Sequence, residues 1–511
     1  MNTLNRKRKY EHTALLFCLP VLFGAATAVC AQRLPAPATP LFSPGVSAPL
    51  PSHGVAVHPV QTMHRVMIKP QLTHAQLSQN MIAAAYRGDA AQVGKLLAQG
   101  ADPNASSSNG TPALNYAVSG KSAAVASLLL SKGAHINAAD RRGNTALIVS
   151  VAVRAVDIVN LMLARGASVN AHDASGYTPL GIAVAQNNLP VLDILIAHKA
   201  DVNAPQHTGV TPLAMAVEDE NADAVHALIS AGASVTSATK PGETSLVWTA
   251  LAASHSPNAS PQSADAILLD LLEHGANPNT PGLHNGSPLL LSTALVNPTA
   301  ARLLIEHGAR VNAQDDLGRC PLLIAAAQGV DSILPLLITN GANVNIQDKG
   351  GYTPLIWAAR FNHTAIAHKL IEAGARVNLA TSQGVTPLMA ACWKGNTELA
   401  VALISKGAVV KSADHTGSTP LMMAALSGNT SMVKLLLSKG ADANVRNLQG
   451  ATAANFANGK KPVLDLLIPH MTVMNQASVA PAAPTTYSFE DPGAMIGLPS
   501  ENPSTPTAPH P

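Results

Sequence analysis

Between Gly351 and Asn378 the chain reads GYTPLIWAARFNHTAIAHKLIEAGARVN, and its apolar positions fall into two short helical blocks. Leu355, Ile356, Ala358 and Ala359 form a compact first block, and Ile366, Leu370 and Ile371 mark one face of a second. Thr353 is placed to cap the first helix, because its hydroxyl can accept an orphan backbone N–H of the opening turn. Pro354 follows at the first helical position, where its fixed φ suits the helix and its missing N–H costs little. Asn362 marks the reversal between the helices. Gly374 stands where a helix ends in the left-handed conformation, and Val377 and Asn378 lead into a turn. By its spacing Trp357 points toward the core rather than the first-helix surface.

The pattern recurs in phase. The closing glycine returns at Gly100, Gly133, Gly166, Gly232, Gly275, Gly308, Gly341, Gly374, Gly407 and Gly440, and Lys199 fills the one gap. Neighbouring positions lie 33 residues apart, except for 43 between Gly232 and Gly275. The opening motif returns as Thr-Pro-Leu at residues 178, 211, 353, 386 and 419, with weaker copies beginning at Thr145, Ser287 and Cys320. A helix–turn–helix unit at fixed period predicts an all-α solenoid, in which each repeat buries its apolar face by stacking on its neighbours.

The period, the Thr-Pro-Leu opening and the Gly-Ala-x-Val-Asn closing (Gly166 to Asn170, Gly341 to Asn345) resemble the ankyrin repeat family over about Gln79 to Ile468. About eleven helix–turn–helix repeats and a C-terminal half-repeat cap are expected. One departure is consistent. The histidine that usually follows Thr-Pro-Leu in the family is replaced by Gly181, Ala214, Leu290, Leu323, Ile356, Met389 and Met422. Without that residue's hydrogen bonds, the repeats should lean more on apolar packing.

The flanks have a different character. Arg6, Lys7, Arg8 and Lys9 precede an apolar run from Ala14 to Ala26, and Val29-Cys30-Ala31 offers a cleavage site before Gln32. Residues 1–31 therefore read as a secretory signal peptide. Residues 32–75 form a Pro/Ala-rich linker, the repeats occupy 76–469, and 470–511 form a disordered Pro-rich tail. The first repeat opens at Asn80. The ten extra residues of the long interval, near 254–263, read as an exposed loop between two helices of one repeat. Thr452 to Ile468, with Asn455, Lys460 and Lys461 outward, reads as the cap. The alanine-rich composition and short signal look bacterial, with the periplasm of a Gram-negative cell as destination and full secretion as the alternative.

Charge removes one class of partner. Setting aside the signal's four cations and one acid from totals of 32 and 29 leaves 28 of each. A chain of zero net charge without a basic stripe points away from nucleic acid. Cys320 and Cys392, the two cysteines left after cleavage, lie two repeats apart, too far for a disulfide. No apolar run after the signal is long enough to span a bilayer.

No catalytic motif stands out, and no cofactor is expected. His274 and His307 occupy one column of adjacent repeats, with His198 in the same column, and read as solvated residues near helix ends rather than zinc ligands. Cys392, beside Lys394, reads as a small buried residue at a position usually held by alanine. The resemblance implies instead a concave face, lined by the inter-repeat turns and the exposed end of the first helix, that binds a protein. Mapped here, the turn positions are Arg141, Arg142, Tyr177, Lys349, Tyr352 and His415. The first-helix positions are Arg360, Phe361, Trp393 and Lys394. Aromatics make up 3% of the chain, so the gathering of Tyr352, Arg360, Phe361 and Trp393 in two repeats is the strongest interface signal. The expectation is a monomeric, exported, non-catalytic scaffold for an unidentified protein partner. A secreted factor acting on a host protein is the alternative; an accessory enzyme or metal-handling envelope protein is a third reading.

Overall fold

A computed structural model describes residues 73–236, 245–253 and 261–476, and these are helices joined by short turns. The signal peptide, nearly all of the N-terminal linker, residues 254–260 and the tail beyond Gln476 lie outside the described residues. The first compact unit ends at Ala174. It carries α1 (His74–Arg87) and α2 (Ala90–Ala98), α3 (Ala113–Ser119) and α4 (Ala123–Ser131), then α5 (Ala146–Ala152) and α6 (Val156–Ala164).

The second unit starts at Ser175. Its helix pairs are α7 (Pro179–Ala185) and α8 (Leu189–Ala197), α9 (Pro212–Glu218) and α10 (Ala222–Ser230), and α11 (Leu246–Ala253) and α12 (Pro261–Glu273). There follow α13 (Pro288–Ala294) and α14 (Pro298–Glu306), α15 (Pro321–Gln328) and α16 (Leu334–Thr339), and α17 (Pro354–Arg360) and α18 (Thr364–Glu372). The last are α19 (Pro387–Lys394) and α20 (Thr397–Ser405), α21 (Pro420–Ser427) and α22 (Thr430–Ser438), and the short cap pair α23 (Ala453–Phe456) and α24 (Lys461–Leu467). One further turn, α25 (Val473–Gln476), closes the described chain.

The expected local signals act at their places. Thr353, Thr386 and Thr419 each accept a backbone N–H three residues on, with proline at the first helical position. The leucine after each proline is core: Leu180, Leu213, Leu289, Leu322, Leu355, Leu388 and Leu421 are no more than 1% exposed. Gly181 and the apolar residues that replace the family's histidine are buried as well. Two ends differ from the sequence reading. The first helix begins at His74, six residues before Asn80, because Thr73 and Gln76 form a capping box. Helix α12 already includes Pro261 to Ser263, since proline is well placed to open a helix.

Hydrogen bonds compensate at the repeat boundaries. Asn312 donates through Nδ2 to the Gly341 carbonyl at 2.9 Å and accepts the Asn343 N–H at 2.8 Å. Asn345 makes the same pair with Gly374 and Arg376, and Asn279 with Gly308 and Arg310. In the first unit Asn104 bridges to Gly133 and His135. The asparagine that closes one repeat thus satisfies the loose backbone at the end of the next repeat's second helix. Losing both bonds should cost about 1–2 kcal/mol, so Asn312→Ala is expected to lower the urea midpoint of the second unit accordingly.

Backbone conformation also follows columns. Gly374 has φ +90°, and an added Cβ there would meet nothing within 4 Å, so conformation rather than space selects glycine. Lys199 holds the equivalent position at φ 64°. Between the two helices of each repeat a second left-handed position recurs, filled by Gly329, Asn362, Gly395 and Gly428 but by the β-branched Val296 at φ 55°. Such conformations cost L-residues roughly 1–2 kcal/mol. Lys199→Gly and Val296→Gly are each expected to raise stability by about 1 kcal/mol, read as an upward shift in the same urea transition.

Candidate functional site

The turn before α17 is built on one carboxylate. Asp348 Oδ1 accepts the backbone N–H groups of Gly350 and Tyr352, both at 2.9 Å. Asp140, Asp315 and Asp414 form the same turn in other repeats. Neighbouring turn tips are tied by backbone bonds, from Lys349 N to Leu317 O and from Ser382 N to Gly350 O. Gly351 is needed there twice over: its φ is +76°, and a Cβ would come within 2.6 Å of the Ser382 nitrogen.

Asp348 differs from its counterparts in the partner of its second oxygen, which in Asp140 accepts from Asn144 and in Asp315 from Arg319. Oδ2 of Asp348 accepts the Trp357 indole N–H at 3.0 Å. Burial pushes this carboxyl above its ordinary value, while the Tyr352 N–H, the Trp357 indole and the Gly350 N–H pull it down. The bond fixes Trp357 beside Tyr352, with ring centroids 4.7 Å apart. On the other side, one helical turn along α17, Phe361 stacks parallel to Trp357 at 5.6 Å and 3° between planes. Arg360 lies behind, with its guanidinium 5.7 Å from the Tyr352 ring centre and 5.9 Å from that of Trp357. Its Nη1 also donates to the Tyr352 hydroxyl at 3.3 Å. The result is a half-buried ladder, Tyr352–Trp357–Phe361, held by a buried cation and a half-buried carboxylate.

The next repeat adds Trp393, half-buried, and Lys394, whose ammonium sits 4.3 Å from the Trp393 ring centre. Partial burial lowers the lysine's pKa, and the nearby Arg360 adds to the shift. Lys394 is thus electrostatically coupled to the ladder of the preceding repeat.

Two assignments change. Arg360 was expected on the exposed surface but is 6% exposed, because it is drawn under the two rings it supports. Trp357 was expected in the core, and it forms the middle rung of the ladder. Its column is buried elsewhere, at Ile324, Ala390 and Met423. An indole is too long for that slot and reaches the surface where Asp348 can take its N–H. Of the other residues, Lys349 and His415 are exposed on turns of the second unit, and Tyr177 is half-buried before α7. Arg141 and Arg142 are exposed on a turn of the first unit and are not brought to the ladder within one unit.

The histidine column has a local role. Nδ1 of His198, His274 and His307 lies 2.8 Å from the carbonyl four residues earlier, so each ring adds a second bond to a carbonyl that already accepts the histidine's own backbone N–H. Among the described residues no group of three or more His, Cys, Asp or Glu could hold a metal ion, and no helix is long and apolar enough to cross a membrane. Cys320 and Cys392 are buried free thiols. Burial raises Cys320 to about 11 and Cys392 further, leaving both protonated at neutral pH.

His363 replaces the asparagine that caps the second helix at Asn396 and Asn429. Its Nε2 donates to Ala327 O at 3.0 Å, and its ring continues the ladder 6.3 Å from Phe361. Burial lowers its pKa below the ordinary 6.5, against a smaller opposing effect of the Ala327 bond. The folded chain therefore binds this proton less readily than the unfolded one. The stability contributed is complete above about pH 6.5 and is lost progressively below it, as pH falls toward the lowered value of the folded chain. His363→Asn is expected to reduce the drop in melting temperature between pH 7.5 and 5, measured against wild type.

A family model described as ankyrin repeats, in three copies, matches residues 81–173, 157–239, 258–348, 322–414 and 388–477. No curated protein matches the chain.

Proposed function

This chain belongs to the ankyrin repeat family, and we propose that it is a non-catalytic scaffold binding a protein partner through the turn and first-helix face of its second unit. Repeats of this family generally mediate protein–protein interaction. The observation that carries the reading is the Tyr352–Trp357–Phe361 ladder, half-exposed and fixed from behind by Asp348 and Arg360. A surface already ordered avoids much of the entropy lost on binding, and Trp, Tyr and Arg dominate the energetics of interfaces. Lys394 supplies a cation over the Trp393 ring, and Lys349 and His415 are exposed on turns of the same unit. Burial of the two thiols in protonated form favours leaving nucleophilic chemistry out of this role.

Export belongs to the same proposal. The basic Arg6 to Lys9, the apolar run to Ala26 and the small residues before Gln32 support cleavage there and delivery to a periplasm. The partner would then be a protein of the cell envelope.

Affinity capture from an envelope extract tests this, with protein beginning at Gln32 and the double variant Trp393→Ala/Lys394→Ala. Trp393 is half-buried and Lys394 exposed, so the variant should stay folded while losing the captured protein. Retention of that protein by a folded variant would move the site elsewhere.

A further inference from the structure

The rings of the Tyr352–Trp357–Phe361 ladder are left partly exposed. Resting on the ladder's reading as a binding face, we infer that it takes a proline-rich acidic segment, namely the C-terminal residues 477–511, centred on Tyr487 to Pro492. Aromatic surfaces that expose ring edges suit proline-rich strands, which bring little conformational entropy to lose. Tail and ladder are complementary in charge. The segment contains Glu490, Asp491 and Glu501 and no lysine or arginine. On the face, Lys394 is exposed over the Trp393 ring and Lys349 is exposed on the turn before α17, whereas Asp348 is turned inward onto its turn and Trp357.

Reach is sufficient. The described chain ends at Gln476, whose side chain is tied to Ile468 O and Met471 O at the end of the second unit. Helix α17 lies three repeats back from the cap pair, and packed helices lie about 8–10 Å apart, so the ladder is roughly 30 Å away along the array. Tyr487 lies eleven residues beyond Gln476, and eleven steps of about 3.3 Å span roughly 36 Å. Tyr487 and Phe489 can therefore reach the rings, with Glu490 and Asp491 beside Lys394. The tether makes the contact intramolecular, so it forms at any protein concentration. An external partner would then have to displace the tail.

The full chain offers its own reporter. Trp248 is buried at 4% exposure, whereas Trp357 and Trp393 are half-exposed, and the tail has no tryptophan. Acrylamide quenching of tryptophan fluorescence therefore reads cover over the ladder. Tyr487→Ala/Phe489→Ala in the full chain is expected to raise the quenching constant about 1.5- to 2-fold. Lys394→Glu should do the same, and adding Glu490→Lys/Asp491→Lys to it should restore the wild-type value. Unchanged quenching in the tail variant overturns docking. A rise that ignores Lys394→Glu overturns the assignment to this face. Quenching that depends on protein concentration identifies a second copy as occupant and overturns the intramolecular arrangement. Partner capture by the tail variant is scored separately, so the binding face can stand even if the tail does not dock.

Discussion

Every repeat ends with backbone groups that its own helices cannot satisfy, and the structure depends on how the neighbouring repeat meets them. A second helix leaves carbonyls free at its C-terminus. The closing glycine turns the chain away and exposes its own carbonyl. The asparagine of the preceding repeat then takes both that carbonyl and the N–H two residues on, as Asn312 does for Gly341 and Asn343. Apolar stacking supplies most of the driving force, through leucines such as Leu355 and Leu388. Stacking alone is tolerant of sliding. The asparagine bridges are directional, so they fix the register in which the leucines meet.

The same economy governs the turns. One acidic or amide side chain, such as Asp315 or Asn447, gathers the N–H groups two and four residues on. The turn closes without help from elsewhere, and its outer residues are left free to vary. Asp348 extends the device by one bond, to Trp357. That bond turns a structural carboxylate into the support of a surface ladder. Arg360 completes it from below. The half-buried rings are held by one buried and one half-buried charge, so the face owes its rigidity to residues behind the rings.

The local exceptions follow the same physics. Lys199 occupies a backbone position that glycine fills in other repeats, and Val296 one that glycine or asparagine fills in some repeats and Lys121, Arg154 and Glu220 in others; the surrounding hydrogen bonds hold them there. His363 stands where asparagine caps the helix in neighbouring repeats, and it exchanges that cap for a bond to Ala327 and a place beside Phe361.

The sequence by itself determined the helix pairs, their caps and the buried leucine column, because those depend on residues within one turn or one repeat period. It also picked out Tyr352, Phe361, Trp393 and Lys394 as surface residues gathered in adjoining repeats. It misplaced Arg360 and Trp357, one turn apart in a single helix. Helical spacing says which way a Cα–Cβ bond points, but a long side chain goes where its far end finds a partner. Only the tertiary structure decided that the Arg360 guanidinium lies under two rings and that Trp357 reaches outward to Asp348. Those partners come from the turn ahead of the helix, whose position relative to the helix is set by packing and not by periodicity.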